Sequence, residues 1–104
     1  MENTQIAAVR QVAVARDYQE VQDIGPCSDG RLVVFGDDAY ACSYSRGSGL
    51  LGVSVRVYFS TSGDVESAIR YHDSALVGQV RQSDGVAGER LARALELFTA
   101  TDAH

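Results

Sequence analysis

Tryptophan and lysine are absent from this 104-residue chain, and proline occurs once, at Pro26. Without lysine, all nine basic residues are arginine, against 14 acidic ones, for a formal net charge of −5. That sign is wrong for a non-specific hold on nucleic acid phosphates, which needs a positive field, so no direct nucleic acid partner is expected. The all-arginine usage follows most simply from a GC-rich coding sequence, although arginine also offers forked hydrogen bonds to carboxylates and phosphates. With Cys27 and Cys42 alone, the chain has neither a disulfide framework nor the ligands of a zinc site, and no metal or cofactor is expected. No apolar run approaches the ~20 residues of a membrane helix. The start, Met1-Glu2-Asn3-Thr4-Gln5, carries an acid where a secretory leader is basic. These absences imply a cytoplasmic protein that does not engage a membrane.

What is present is an ordinary globular composition, 45% hydrophobic and 22% charged, with enough apolar surface to offset the entropy of ordering. No repeat, low-complexity tract or proline-rich linker divides it, so residues 1–104 are expected to form a single α+β domain. A core this small also leaves room for a homodimer.

Residues 4–22 are rich in Ala, Gln, Glu and Arg, and Ile6, Val9, Val12 and Ala13 fall near one helical stripe that Val14, Tyr18 and Val21 continue. This predicts an N-terminal helix, with a strand over 11–16 as the competing reading. The turn residues of Ile24-Gly25-Pro26-Cys27-Ser28-Asp29-Gly30 predict a loop. Residues 31–35 and 39–45 are β-rich runs on either side of Gly36-Asp37-Asp38. That is the pattern of a hairpin setting Phe35 opposite Tyr40, Val33 opposite Cys42 and Arg31 opposite Tyr44.

After a flexible connector at Ser45-Arg46-Gly47-Ser48-Gly49, Leu51, Val53, Val55, Val57 and Phe59 alternate with Gly52, Ser54, Arg56, Tyr58 and Ser60. The alternation predicts a strand over 50–60 that is packed on one face and wet on the other. Residues 65–72 fit both an alternation (Val65, Ser67, Ile69, Tyr71) and a helical stripe (Val65, Ala68, Ile69, His72, Leu76). Turn residues at Gly63-Asp64 and Asp73-Ser74 favour a strand followed by another over 76–82, with Tyr71 opposite Leu76 and Glu66 opposite Arg81. Ser83-Asp84-Gly85 offers caps, and Val86, Leu91, Ala94, Leu95 and Phe98 predict an amphipathic helix over 85–99. The expected architecture is a helix, an antiparallel meander of about five strands (31–35, 39–45, 50–60, 65–72, 76–82) and a C-terminal helix.

Few residues suggest chemistry. Gly47-Ser48-Gly49 is a glycine-rich loop, but a phosphate loop should open a helix and here a strand is expected to follow. His72 adjoins Asp73, as a catalytic imidazole requires, yet neighbours in a strand point to opposite faces. Cys42 is expected on the apolar face beside Val33, away from His72, and Cys27 in an exposed loop. Asp17, Glu20, Asp23, Asp29, Asp37 and Asp38 lack calcium-loop spacing and read as a solvating surface or as a negative docking face.

On the expected register Arg56, Tyr58, Arg70, His72 and Arg81 share the wet face of the meander, with Arg46 in the neighbouring loop. Arginine and tyrosine are enriched at interface hot spots, so these six are the candidate partner-binding residues. No catalytic residue is assigned. The leading functional expectation is a small acidic, non-enzymatic interaction protein. It would act as an inhibitor, adaptor or antitoxin-like partner, for instance a phage or mobile-element inhibitor of a nucleic-acid-handling complex. A second is a ligand-binding domain whose pocket, lined by Tyr40, Tyr44, Val53 and Phe59, lies between sheet and helix. A third is a small enzyme using His72 with Asp73 or Tyr71.

Overall fold

A computed structural model describes residues 4–100; the expectation about a leader rests partly on residues 1–3, which lie outside them. The chain runs α1 (Thr4–Ala15), β1 (Gln19–Cys27), β2 (Gly30–Gly36), α2 (Asp38–Ser45), β3 (Val53–Phe59), β4 (Val65–His72), β5 (Ala75–Val80) and α3 (Ala87–Thr99). Its strands form one antiparallel sheet in the order β1-β2-β3-β4-β5. The expected α+β fold, with a five-stranded antiparallel sheet between an N-terminal and a C-terminal helix, is therefore what the chain adopts. None of the described helices is long and apolar enough to cross a membrane.

Two segments take a different role from the one their sequence suggests. The first helix stops at Ala15 rather than near residue 22, because Asp17 takes a positive φ of 63°, which breaks the helical repeat. Residues 19–27 then form strand β1, where part of a helix and a loop were expected, pairing Glu20 with Phe35, Asp23 with Val33 and Ile24 with Leu32. As an edge strand, β1 tolerates both its carboxylates and Pro26, since one side of its backbone needs no ladder partner.

The other segment is 39–45, which is helix α2 and not a strand. Asp37 sits at its N-cap in extended conformation, and its Oδ1 accepts the Tyr40 N–H at 2.9 Å, the geometry that starts a helix. The hairpin expected at Gly36-Asp37-Asp38 does not form. Val33 and Phe35 face Val57 and Val55 instead, which makes β2 an inner strand. Cys42 is exposed on α2 rather than buried beside Val33.

The β3 alternation holds from Val53 onward. Val53, Val55, Val57 and Phe59 are buried, and the last three join Ile6, Val9 and Ala13 of α1 and Ala94 and Phe98 of α3 in one core. Phe98 meets Tyr18 and Phe35 edge-on, each at 5.3 Å between ring centres, so both outer helices cover the same face of the sheet. Leu51 is 62% exposed and precedes the strand.

Strand β4 carries an extra residue. Tyr58 pairs with Ser67 but Phe59 pairs with Val65, leaving Glu66 looped out. A one-residue bulge exchanges the faces of everything beyond it. Ala68, Arg70 and His72 therefore point to the helix side, opposite Val57, Val55 and Val53, while Ser67, Ile69 and Tyr71 point away. Asp73 and Ser74 both have positive φ, 48° and 72°, as in a type I′ hairpin, and Tyr71 pairs with Leu76 as expected. The expected Glu66–Arg81 pair is absent, since β5 ends at Val80 opposite Ala68.

Arg70 is thus an interior residue, 5% exposed, whose guanidinium donates to the Tyr18 hydroxyl and to the Leu97 carbonyl. It ties the α1–β1 junction, β4 and α3 together. Replacing it leaves two polar partners and a void behind. Arg70→Ala is accordingly expected to lower the unfolding free energy by about 2–4 kcal/mol, read from urea denaturation; a loss below ~0.5 kcal/mol contradicts this role.

A second cluster holds the β1 edge. Arg31 donates to Asp23 at 2.9 and 2.6 Å, and Arg10 of α1 reaches Glu20 at 2.9 Å and Asp23 at 3.3 Å. The Arg31 hydrogen bonds hold the Asp23 carboxyl below its ordinary pKa, against a smaller opposing effect of burial. A depressed folded-state pKa adds stability above the unfolded value, near 3.9, that is lost as pH falls through the folded one. The urea midpoint of the wild type should therefore exceed that of Asp23→Asn near neutral pH, and the gap should narrow as pH falls from about 5 through the lowered folded-state pKa. A gap that is constant over that range removes the linkage.

Candidate functional site

The sheet has a second face, and its residues can be read across the strands. One row is Ile24, Leu32, Tyr58 and Ser67; the next is Gln22, Val34, Arg56, Ile69 and Gln79; the third is Gly36, Ser54, Tyr71 and Leu76. Arg56 is the one charged residue among them. Ile24 is 48% and Leu76 55% exposed, and Leu32, Tyr58, Ile69 and Tyr71 are half-buried. Helices α1 and α3 lie on the opposite side, and Leu32, Tyr58, Ile69 and Leu76 of this face stay partly exposed.

One end of it is covered, by α2 and the loop that follows. Gly36 makes the approach possible, because a Cβ there would lie 2.3 Å from the Tyr40 ring. Tyr40 stacks on Tyr44 at 6.1 Å between ring centres, and Val34, Tyr40, Ser43 and Ser54 are buried beneath the helix. The loop expected to be a flexible connector is pinned. Ser43 Oγ accepts the N–H groups of Leu50 and Leu51 at 2.8 and 3.2 Å, and the Ser43 carbonyl accepts those of Ser48 and Gly49.

Gly52, with φ of +86°, sits where a Cβ would strike the Tyr40 backbone N at 2.3 Å and Asp37 Oδ1 at 2.6 Å. Its N–H donates to Asp73 Oδ1 at 2.7 Å, and Val53 N–H donates to Asp37 Oδ1 at 3.1 Å. Oδ1 of Asp37 and Oδ1 of Asp73 are therefore both engaged by backbone N–H groups. Asp38 accepts from Gln19 Nε2 at 3.1 Å.

Between this loop and the sheet lies a cavity of about 210 Å³, walled by Tyr40, Ser48, Ser54, Arg56, Tyr71 and Ser74 with loop backbone. The Arg56 guanidinium carbon stands 5.4 Å from the centre of the Tyr71 ring, a cation–π distance. Its Nε is buried without any acceptor.

The six candidate contact residues separate. Arg56 and Tyr58 share the uncovered face, two residues apart on β3. Arg70 and His72 are on the other side, turned there by the Glu66 bulge, and Arg70 is buried. Arg81 lies beyond β5, where its N–H donates to Asp84 Oδ2 at 2.8 Å, and Arg46 is the exposed C-cap of α2. Sequence alternation missed Leu32, Ile69, Tyr71 and Leu76 as surface residues, since an apolar residue in a strand reads as core and a bulge leaves no local mark.

The other expectations resolve similarly. Phe59 packs in the core with α1 and α3 and Val53 is turned to the same side of the sheet, whereas Tyr40 and Tyr44 are on α2 at the opposite face, so these four do not line one pocket. His72 Nε2 is 3.9 Å from Asp73 Oδ2, beyond hydrogen-bond reach, and Tyr71 points to the other face. No group of three or more His, Cys, Asp or Glu side chains that could hold a metal ion occurs among the described residues. No protein-family model, curated protein or solved structure matches the chain.

Because Asp37 both caps α2 and receives Val53 N–H, Asp37→Ala is expected to cost about 1–2 kcal/mol of stability, whereas Asp38→Asn should stay within ~0.5 kcal/mol. Paired urea titrations check this, and equal effects refute it.

Proposed function

We propose that the protein is a small interaction module that docks a protein partner on the uncovered face of its sheet. One observation carries the reading: three cross-strand rows bring Leu32, Tyr58, Ile69, Tyr71 and Leu76 to one surface with a single charge among them. Charged residues make up 22% of the chain, and strand faces that meet water are ordinarily polar. A contiguous apolar patch with a polar rim is the usual form of a contact surface.

Charge selects the kind of partner. Asp29 and Glu66 border Ile24, Leu32 and Tyr58 at one end of the face, and Arg31 beside them is paired with Asp23, on a chain of net charge −5. A second copy would set acidic rim against acidic rim, so the reading commits to a different protein with an apolar patch edged by basic side chains. An inhibitor or adaptor acts by such occupancy and needs no catalytic group. Leu32, Tyr58, Ile69 and Tyr71 stand on inner strands of the sheet, which limits the ordering cost of binding.

The test begins with a photo-crosslinking residue at Tyr58 and, as a control, at Val14, which is 74% exposed on α1. In host cells Tyr58 should capture one protein that Val14 does not. With that protein purified, Ile69→Lys should weaken binding by about thirtyfold or more, and Val14→Lys should leave it unchanged. Capture of the chain by itself, or a purified pair indifferent to Ile69→Lys, overturns the reading.

A further inference from the structure

We propose that the cavity under the α2 loop is a binding site for a small organic monocarboxylate, with Arg56 as its charged contact. The argument starts from the state of the arginines. The other half-buried or buried ones are all provided with acceptors: Arg10 by Glu20 and Asp23, Arg31 by Asp23, Arg70 by Tyr18 and Leu97, and Arg90 by the carbonyls of Val65 and Gly85. Arg56, half-buried, has the Tyr71 ring and no acceptor, and its Nε is covered. A desolvated guanidinium hydrogen without an acceptor is costly, and because Arg56 lines the cavity a turn of its side chain is what brings that hydrogen to an entering acceptor.

The walls define what enters. Arg56 is the one charged side chain among the residues that line the cavity, so the site matches one negative charge. The carboxylates of Asp37 and Asp73 hold the backbone of Gly52 and Val53 at its edge, and their field opposes a dianion such as phosphate about twice as strongly as a monoanion. Tyr40, Tyr71 and Leu50 give apolar and aromatic surface, and Ser48, Ser54 and Ser74 give hydroxyls. A cavity of about 210 Å³ exceeds the roughly 150 Å³ that takes benzene in an engineered protein core. One ring or short chain bearing a carboxylate therefore fits. A modest turn of the guanidinium pairs two of its N–H groups with the two carboxylate oxygens, the forked geometry that lysine cannot supply.

The site does not rest on the docking reading, because it is tested with the protein alone. Benzoate is titrated into ¹⁵N-labelled protein, with benzamide as the neutral isostere and inorganic phosphate as the competing anion. Benzoate should shift the Arg56 Nε–H resonance and the amides of Gly49, Ser54 and Tyr71 to saturation. Benzamide and phosphate should each bind about tenfold more weakly or worse. Arg56→Gln should weaken benzoate by at least about tenfold while keeping a dispersed spectrum, and Arg56→Lys should restore it only in part. If Arg56→Gln fails to fold, the Arg56 Nε–H shift in the wild type still decides the matter. Unmoved resonances at about 10 mM benzoate, well above the 1 mM scale of weak binding, equal binding of benzamide, or tighter binding of phosphate each overturn the assignment.

Discussion

The structure depends on one extra residue. Without the loop-out of Glu66, strict alternation from Val65 would turn Ile69 and Tyr71 toward α1 and α3 and would place Arg70 and His72 on the outer face. With it, Val65 and Ala68 both reach the core, and the outer face gains an isoleucine and a tyrosine. The bulge is thus responsible for both the composition of the interior and the chemistry of the exposed sheet. A bulge of this kind persists because the two apolar ends it joins are each fully packed, so sliding the register by one residue would expose one of them.

The inward turn of Arg70 carries a desolvation cost that only good hydrogen bonding offsets. Tyr18 and the Leu97 carbonyl supply it, and Gly78 makes the space, since a Cβ there would lie 2.9 Å from Leu97 and 3.6 Å from Arg70. The arginine stem fills the gap between α3 and the end of the sheet as an aliphatic side chain would. Its head fixes the C-terminal part of α3 at Leu97, as Arg90 fixes the N-terminal part by donating to the Val65 carbonyl. Polar interior contacts of this type specify one arrangement among several that bury similar area.

What was legible in the sequence follows the strength of periodic burial. β3 showed itself because Val55, Val57 and Phe59 are each packed on one side, and α3 because Leu91, Ala94, Leu95 and Phe98 recur at helical spacing. β1 did not, because an edge strand rich in Gln, Glu and Asp has no apolar alternation to show and is recruited by its neighbour's backbone. α2 was hidden by the reverse effect. Its run of Ala, Tyr and Cys resembles a strand, and the deciding signal was the Asp37 cap, whose side chain also fits a turn. Of the candidate site, Arg56 and Tyr58 were legible because they precede the bulge in the ladder and follow the plain β3 alternation; Arg70 and His72 lay beyond it and were placed on the wrong side.

The two faces of the sheet now pose a single energetic question. On the inner face apolar side chains are matched by two helices, and the charges there, Arg70 and the Arg10, Arg31, Glu20 and Asp23 cluster, are satisfied. On the outer face α2 covers Ser54 and Val34 but stops short of Tyr58, Ile69 and Leu76. A sheet that needed only stability would carry polar residues at those positions, since isolated polar side chains cost nothing in water and oppose aggregation. Keeping Leu32, Tyr58, Ile69 and Leu76 there, beside an arginine with no acceptor, leaves unburied area and an unmet hydrogen bond in the free protein. On the proposed readings both would be removed by binding, and by different things. Apolar area requires a broad surface, which only a macromolecule presents, whereas the guanidinium requires one acceptor, which a small acid supplies. The division explains why the rows and the cavity, though contiguous at Tyr71, are best read as two contacts with two occupants.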